Sequence, residues 1–190
     1  DVRHFKTDPI DAADYQACLD AFKFAPSVGL SEPWRLVRVT SDAARMAAFE
    51  NFKTANDAAL AGYDGEQAQL YAGLKLSGMK EAPEHLAIFC DDSTDKGAGL
   101  GAQRMPEMRR YSAVCAITLF WLKARSLGIG VGWVSILDPK ALARSFDMPD
   151  DWSLVGYLCI GYPAKASDTP ELEQRGWEDR DATLATPIEV

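Results

Sequence analysis

The sequence predicts one domain in which helices and strands alternate along the chain. With 190 residues, the chain is long enough to bury a full hydrophobic core and too short for two ordinary domains. Hydrophobic residues make up 47% of it and charged residues 25%, which is average for a globular protein. Helical and extended patterns of apolar residues follow one another along its length. We therefore expect a single domain over residues 1–190, with no membrane-spanning helix.

The first third of the chain predicts a helix, a strand and a second helix. Apolar residues recur at helical spacing over residues 11–24, and Asp11 can cap the start of this helix. Residues 35–39, "RLVRV", contain valines in a partly alternating pattern that is typical of a short strand. Ser41 then stands where an N-cap residue is expected, for a helix that continues towards Leu60.

The middle of the chain predicts an interrupted helical segment, a buried strand and a long loop. Four glycines interrupt the helical pattern of residues 62–82, so we expect a mobile flap there. Residues 84–91, "EHLAIFCD", predict a buried strand, and turn-forming residues over 92–108 predict a long loop of a kind that is often functional. The next helix is apolar on nearly every side over residues 113–122, so we expect it to be buried on several sides and to end at Gly128.

The last third predicts a short helix, another buried strand and a tail. Asp138 precedes a proline, which is typical of the first position of a helix. Residues 153–163, "SLVGYLCIGYP", predict the strand. The tail, residues 164–190, is acidic and has only Leu172 and Trp177 as obvious anchors. A segment that cannot form its own core is disordered or packed on a partner subunit.

Charge and cysteine usage exclude several classes of function. The formal net charge of −8 argues against a nucleic-acid-binding surface, which needs a basic stripe. The four cysteines lie far apart in apolar stretches, without a C-x-x-C pair, so we expect buried thiols and no metal site. They are Cys18, Cys90, Cys115 and Cys159. The first residues show no signal-peptide pattern, which predicts a reduced, cytoplasmic setting.

The stretch "SLGIGVGWVSI", residues 126–136, has Gly128, Gly130 and Gly132 on alternate positions. In a strand this period puts all three on one face, where each glycine costs about 0.5–1 kcal/mol relative to alanine. A flat ligand lying against the bare backbone would explain this cost, and a helix cap would explain Gly128 alone. The stretch does not fit a dinucleotide-binding or phosphate-binding loop, because it follows a helix and lacks both the G-x-G-x-x-G spacing and a lysine.

Several segments together resemble the nitroreductase-like flavoprotein superfamily. They cover nearly the whole chain in the order of that family: "DVRHF", "APSVGLSEPW", "YAGLKLSG", "RMPEMRRYSAVCAITLFWLKARSLGIGVGWVSI" and "LVGYLCIGYP". The resemblance implies an α+β fold with a central mixed, mainly antiparallel sheet flanked by helices. It also implies an intertwined homodimer with FMN at the subunit interface. Residues 164–190 would wrap around the neighbouring subunit, and residues 62–82 would form a lid over its flavin.

The same resemblance implies which residues bind the flavin. Arg3 matches an N-terminal basic position of the family and Arg180 a C-terminal one. Both suit the phosphate or the pyrimidine edge of FMN, because the guanidinium group pairs well with anions. The implied flavin contacts are Asp1, Val2, Arg3, Pro26, Ser27, Val28, Gly29, Gln67, Leu76, Gly132, Trp133, Val134, Ser135 and Arg180.

Within the superfamily, the match is to a branch that consumes its flavin. The implied reaction is the oxygen-dependent fragmentation of reduced FMN to 5,6-dimethylbenzimidazole, the lower ligand of vitamin B12, and erythrose 4-phosphate. Molecular oxygen is the co-substrate, and a separate flavin reductase supplies the reduced FMN. Asp1 and Ser135 match the functional aspartate and serine of that branch. Leu30 and Glu32 replace the Asn and Gln of many nitroreductases, which makes the flavin edge less polar.

Two other functions stay open on the sequence alone. An NAD(P)H-dependent nitroreductase or quinone reductase would keep its FMN and need an open face above the ring, against which a tight lid argues. A non-catalytic flavin-binding protein would hold FMN without consuming it. No role follows from the sequence for Glu32, or for Arg109 and Arg110, which also depart from the family pattern.

Overall fold

A computed structural model describes residues 1–74, 77–165 and 167–189 of the chain. Its sheet contains β1 (Trp34–Arg38), β2 (Glu84–Asp91), β3 (Gly130–Val134) and β4 (Trp152–Gly161). The strands lie in the order β1-β2-β4-β3, and every neighbouring pair is antiparallel. The α+β fold with a mainly antiparallel sheet is therefore confirmed. The parallel pair that would make the sheet mixed is not found among the strands of the described ranges.

Helices flank this sheet. In the described ranges the α-helices are α1 (Ala12–Asp20), α2 (Asp42–Leu60), α3 (Gly65–Gly73), α4 (Gly78–Glu81), α5 (Met108–Ser126), α6 (Pro139–Ser145) and α7 (Glu171–Gln174). Helices α3 and α4 form the segment that was predicted as an interrupted helix, and turns fill the predicted loop before α5. None of these helices is long and apolar enough to cross a membrane.

Three helices begin at the capping residues that the sequence predicts. A carboxylate oxygen of Asp11 accepts hydrogen bonds from two backbone N–H groups of α1, at 2.8 and 3.2 Å. The Ser41 hydroxyl accepts one from α2 at 3.2 Å, and Asp138 caps α6 with two bonds of 3.0 and 2.9 Å. Each cap satisfies N–H groups that the first helical turn leaves without a partner.

Alternate residues of β4 belong to hydrophobic clusters on the two faces of the sheet. Leu158 and Ile160 join the cluster that contains Phe120 and packs beneath α1 and α5. Tyr157 and Cys159 join the cluster on the side of α2 and α6. The side-chain period of two in an extended chain explains this division. Both faces of β4 are buried along most of its length, as the apolar run predicts.

A polar pair is buried in the second cluster. The Nδ1 atom of His85 and the hydroxyl oxygen of Tyr157 lie 2.7 Å apart, and both residues are fully buried. Burial lowers the pKa of His85 to about 4, because the charged imidazolium loses its hydration. Burial also raises the pKa of the Tyr157 hydroxyl well above its usual range. Both side chains are therefore neutral at neutral pH.

Helix α5 is buried on one side only, which corrects the expectation of burial on several sides. Phe120 is fully buried, but Tyr111, Val114 and Leu122 are 53%, 38% and 62% exposed. Cys115, which was expected in the core, is exposed on the same face, whereas the other three cysteines are buried. We call these four exposed residues the α5 stripe. Their spacing places them along one side of the helix, so the single chain leaves an apolar strip uncovered.

Candidate active site

Residues 1–3 lie along the edge strand β3 and are bonded to it. The N–H group of Val2 donates a hydrogen bond to the carbonyl oxygen of Val131 at 2.9 Å. The N–H group of Trp133 donates to Oδ1 of Asp1 at 3.0 Å. Because β3 is at the edge of the sheet, these bonds use backbone groups that no other strand of the described residues satisfies. They fix the Asp1 carboxylate beside the end of β3.

The glycines of β3 make room for this segment. A Cβ atom at Gly132 would lie 2.2 Å from the carbonyl oxygen of Val2, and one at Gly130 would lie 2.8 Å from a methyl group of Val2. Gly128 lies outside β3 and, with a φ of +72°, ends helix α5 as predicted. The face that the sequence offered to a flat ligand is therefore covered by the chain itself at Gly130 and Gly132, which corrects that interpretation. A flavin contact at Gly132 stays a prediction.

Two cavities are bordered by Asp1, Val2 and Arg3. The first is a crevice of about 10 Å³, whose other lining residues are Gly78, Met79, Gly132, Trp133, Val134 and Cys159. The second has a volume of about 520 Å³ and extends to Arg180, and we call it the tail cavity. Its volume lies within the roughly 300–1,000 Å³ that is typical of small-molecule sites. The structure thus brings the predicted residues of the N-terminal segment, of β3 and of the tail to one region.

The tail cavity has an excess of positive charge in an otherwise acidic protein. Its basic lining residues are Arg3, Arg125, Lys165, Arg175 and Arg180, and its acidic ones are Asp1, Asp168 and Glu171. Burial lowers the pKa of Arg3, while the Glu171 carboxylate raises it. An arginine keeps its charge under such shifts because its pKa starts above 12. The cavity therefore suits an anionic ligand.

Three of these basic residues were not singled out from the sequence. Arg125 lies in the last turn of α5, and its guanidinium group donates to Asp168 Oδ1 at 3.4 Å. Its position just before the glycine-rich strand could have indicated it. Lys165 and Arg175 lie in the tail, whose path across the protein has no local signal in the sequence.

Asp1 and Ser135 lie near the same end of β3. One carboxylate oxygen of Asp1 is bonded to Trp133, and the other lies 3.8 Å from Nε of Arg3. Ser135 follows Trp133 by two residues, which is roughly 7 Å of extended chain. It is exposed and borders neither cavity. A joint catalytic role of the two residues therefore stays a prediction.

The predicted flavin loop, Pro26–Gly29, borders neither cavity of the single chain. The N–H group of Val28 donates to the hydroxyl of Ser112 at 3.0 Å, which fixes the loop to the first turns of α5. Gly29 has a φ of +57°, and a Cβ atom there would lie 2.8 Å from the carbonyl oxygen of Leu100. The loop is thus tightly held, but at a different place from the N-terminal segment and Arg180.

Two residues that depart from the family pattern form ion pairs. Glu32 pairs with Lys96, and its N–H group donates to the Ser27 hydroxyl at 3.1 Å. Arg110 donates through Nε and Nη2 to the carboxylate of Asp92, at 3.1 and 2.7 Å. Both acidic–basic pairs involve the long loop between β2 and α5. Their effect in the structure is to fix that loop to its neighbours.

Segment 62–82 reaches the N-terminal residues at its C-terminal end. The N–H group of Gly78 donates to the carbonyl oxygen of Arg3 at 2.9 Å, and Gly78 also lines the crevice. Gln67, on α3, is exposed and borders neither cavity. Leu76 lies outside the described residues. Coverage of a flavin by this segment stays a prediction.

The tail contacts its own chain at Trp177, one of its two expected anchors, whereas the sequence predicted a tail that is disordered or packed on a partner subunit. The Trp177 ring lies 5.8 Å from the ring of Tyr63 and 6.3 Å from that of Tyr71, measured between ring centroids. Beyond this anchor, Leu184 and Ile188 are 83% and 90% exposed. The expected wrapping of residues 164–190 around a second subunit stays a prediction.

Comparisons with known proteins bear on this site. The model of the nitroreductase family matches residues 1–162. A 5,6-dimethylbenzimidazole synthase of Rhodospirillum rubrum is 51% identical over 180 residues, which cover 95% of this chain and 85% of that protein. A protein of the same name from Rhodobacter capsulatus is 46% identical over 179 residues, covering 94% of this chain and 86% of its own.

The fold agrees with these sequence matches. The crystal structure of oxidized iodotyrosine deiodinase bound to FMN and 3-iodo-L-tyrosine has a TM-score of 0.75 to this protein at 19% identity. The match covers 98% of this chain and 94% of that one, and at this identity it shows the fold alone. Since the family model matches most of the chain and two curated relatives share about half of its residues, the chain belongs to the nitroreductase family of flavin-dependent oxidoreductases.

Proposed function

We propose that this protein fragments reduced FMN with oxygen to 5,6-dimethylbenzimidazole and erythrose 4-phosphate. The observation that carries the proposal is that Asp1, Arg3 and Arg180 border one cavity, in a chain 51% identical to a 5,6-dimethylbenzimidazole synthase. FMN is the substrate here, and its reduced ring supplies the electrons that react with oxygen. A separate flavin reductase provides the reduced FMN.

The residues around the tail cavity fit FMN. The volume of about 520 Å³ is that of a small-molecule site, and the basic lining suits a phosphate group. Guanidinium groups match phosphate and other planar or delocalised anions through paired N–H donors. We assign Arg3 and Arg180 to the phosphate and the pyrimidine edge of the flavin.

Asp1 and Ser135 have proton-transfer roles in the proposed reaction. The Asp1 carboxylate is oriented by the N–H group of Trp133, so it can accept a proton from C1′ of the ribityl chain. The hydroxyl of Ser135 can both accept and donate, and it holds or passes a proton near the ring. The apolar side of the crevice, at Met79 and Val134, helps to exclude water from this region.

The proposed enzyme is a homodimer, because one chain presents only part of the predicted flavin site. Leu122, at one end of the α5 stripe, borders the tail cavity. Tyr111, at the other end, is next to Ser112, which holds Val28. If the twofold axis is perpendicular to α5, the two stripes run antiparallel and opposite ends meet. The loop Pro26–Gly29 of one subunit would then approach the tail cavity of the other.

Single-turnover reactions test the roles of Asp1 and Ser135. Each variant is mixed aerobically with chemically reduced FMN, and 5,6-dimethylbenzimidazole is measured by chromatography. Asp1→Ala and Ser135→Ala should still bind reduced FMN but form no benzimidazole. Asp95→Ala and Ser145→Ala, matched changes at exposed residues outside both cavities, should react as the unchanged protein does. Native product yield from either test variant would rule out its assignment.

Two other outcomes would refute the proposed reaction. Rapid NADPH-driven turnover of nitroaromatics, with FMN recovered intact, would identify a conventional reductase. Tight FMN binding without either activity would identify a flavin-binding protein.

Mixed dimers test the shared site. Chains carrying Arg3→Ala are combined with chains carrying Gly29→Val, and each variant alone should have little activity. If one site takes Arg3 from one subunit and the loop from the other, a mixed dimer contains one site with both elements intact and recovers part of the activity. No recovery, with mixed dimers demonstrated by mass, would place both elements in the same chain's site.

A further inference from the structure

The Trp177 side chain joins two segments that lie far apart in the sequence. Its ring meets that of Tyr63 nearly edge-on, at an interplanar angle of 85°, and that of Tyr71 at 56°. The two tyrosine rings lie 4.9 Å apart. We call the three rings the aromatic clamp. It attaches the C-terminal tail to segment 62–82.

The backbone before Trp177 fixes where the ring stands. Gly176 has a φ of +71°, and its N–H group donates to Glu173 O at 3.0 Å. The N–H group of Trp177 donates to Leu172 O at 2.9 Å. This pair of bonds is a Schellman motif, which ends α7 with a defined geometry. The chain therefore leaves α7 in a fixed direction, and Arg180 follows three residues after Trp177.

The clamp is attached to a long helix on one side and precedes an exposed segment on the other. The Tyr71 hydroxyl donates to Oδ1 of Asn56, in the 19-residue helix α2, at 3.0 Å. Trp177 is partly buried, whereas every residue from 178 to 189 is exposed. Arg180 lies in this exposed stretch and borders the tail cavity. Trp177 is the partly buried residue nearest to it along the chain.

We propose that Trp177 is a positioning residue that holds Arg180 at the flavin site through the aromatic clamp. This inference rests on the proposed function, because the flavin is the ligand of Arg180. An arginine at the end of a free tail loses backbone and side-chain freedom when it binds an anion. The clamp restricts the tail before the flavin arrives, which lowers this cost of binding. It also couples the position of segment 62–82 to that of Arg180.

A double-mutant cycle on FMN affinity tests this coupling. Trp177→Ala should weaken binding roughly tenfold, because it removes two aromatic contacts, and Trp177→Phe should weaken it less. In an Arg180→Ala background, the loss of Trp177 should have no further effect, since it acts through Arg180. Fold-changes that multiply in the double variant would overturn the inference. Tyr63→Ala removes the partner of Trp177 in the same contact and should weaken FMN binding in the same way. This variant replaces Trp177→Ala in the test if that variant folds poorly.

Proteolysis without flavin separates this inference from the proposed function. Trypsin should cleave after Arg180 faster in Trp177→Ala than in Trp177→Phe or the unchanged protein, because the tail is no longer held. Equal cleavage rates in all three would overturn the inference even if FMN is consumed as proposed. Failure of the unchanged protein to bind FMN would instead refute the proposed function, whatever the cleavage rates.

Discussion

Replacing Gly132 by alanine should displace the residues that carry the proposed site. The added Cβ atom would lie 2.2 Å from the carbonyl oxygen of Val2, so the two must separate by at least about 1 Å to reach ordinary contact. The Cβ atom is bonded directly to the backbone and the carbonyl oxygen is part of it, so neither atom can move away by a side-chain rotation. Gly130→Ala is the matched control in the same strand, because its Cβ atom meets only side-chain atoms of Val2 and Pro163, at 2.8 and 3.0 Å.

The size of the effect follows from the bonds that this displacement breaks. The bond between Val2 and Val131 contributes about 1 kcal/mol, and the bond from Trp133 to the Asp1 carboxylate contributes about 2 kcal/mol. Gly132→Ala should therefore lower the free energy of unfolding by about 3 kcal/mol, whereas Gly130→Ala should cost about 1 kcal/mol of local overpacking. Displacement of the N-terminal segment, which carries Arg3, should also weaken FMN binding in the first variant.

Urea denaturation and FMN titration of both variants check this reasoning. The predicted order is a large loss of stability and of affinity for Gly132→Ala, and small losses for Gly130→Ala. If the two alanine variants match each other in both measurements, the close approach of Val2 to β3 is not what requires glycine at position 132.

Three further predictions concern the core, the loop and a helix cap. The pKa of His85 in the folded protein is about 4, below its usual 6.5, so the unfolded chain binds a proton more strongly than the folded one. The free energy of unfolding should therefore fall by roughly 3 kcal/mol from pH 6.5 to pH 4. An equal fall in His85→Gln would contradict this explanation. Ser112→Ala should leave the N–H group of Val28 without its partner, which lowers the free energy of unfolding by about 1–2 kcal/mol and weakens FMN binding. Native FMN affinity in this variant would argue against Pro26–Gly29 as a flavin loop. Ser41→Ala should cost about 1 kcal/mol in urea unfolding and leave FMN affinity unchanged, so that any loss of affinity would refute a purely local cap.

Local signals in the sequence predicted most of the secondary structure. Asp11 and Ser41 cap the helices at which they were expected, and Gly128 ends α5, because these features depend on neighbouring residues alone. The exposed face of α5 could not be predicted, since an apolar side chain looks the same in the sequence whether it faces a core or not. Cys115 was assigned to the core for that reason.

The site was predicted in part, because its assembly depends on long-range contacts. The alternating glycines indicated a close approach to β3, but their pattern does not distinguish a ligand from a segment of the chain such as Val2. Arg3 and Arg180 were found by resemblance to a family, and the structure places both at one cavity. Lys165 and Arg175 were missed because the path of the tail follows from tertiary contacts, whereas Arg125 stands in the last turn of α5 and could have been indicated by its position.

The fate of the flavin after one aerobic turnover tests the central claim most directly. Purified protein is mixed with a limiting amount of reduced FMN in the presence of oxygen, and both FMN and 5,6-dimethylbenzimidazole are counted by chromatography. We predict that one benzimidazole appears for each FMN lost, and that Arg3→Ala lowers this yield. Complete recovery of oxidised FMN without benzimidazole would contradict the account.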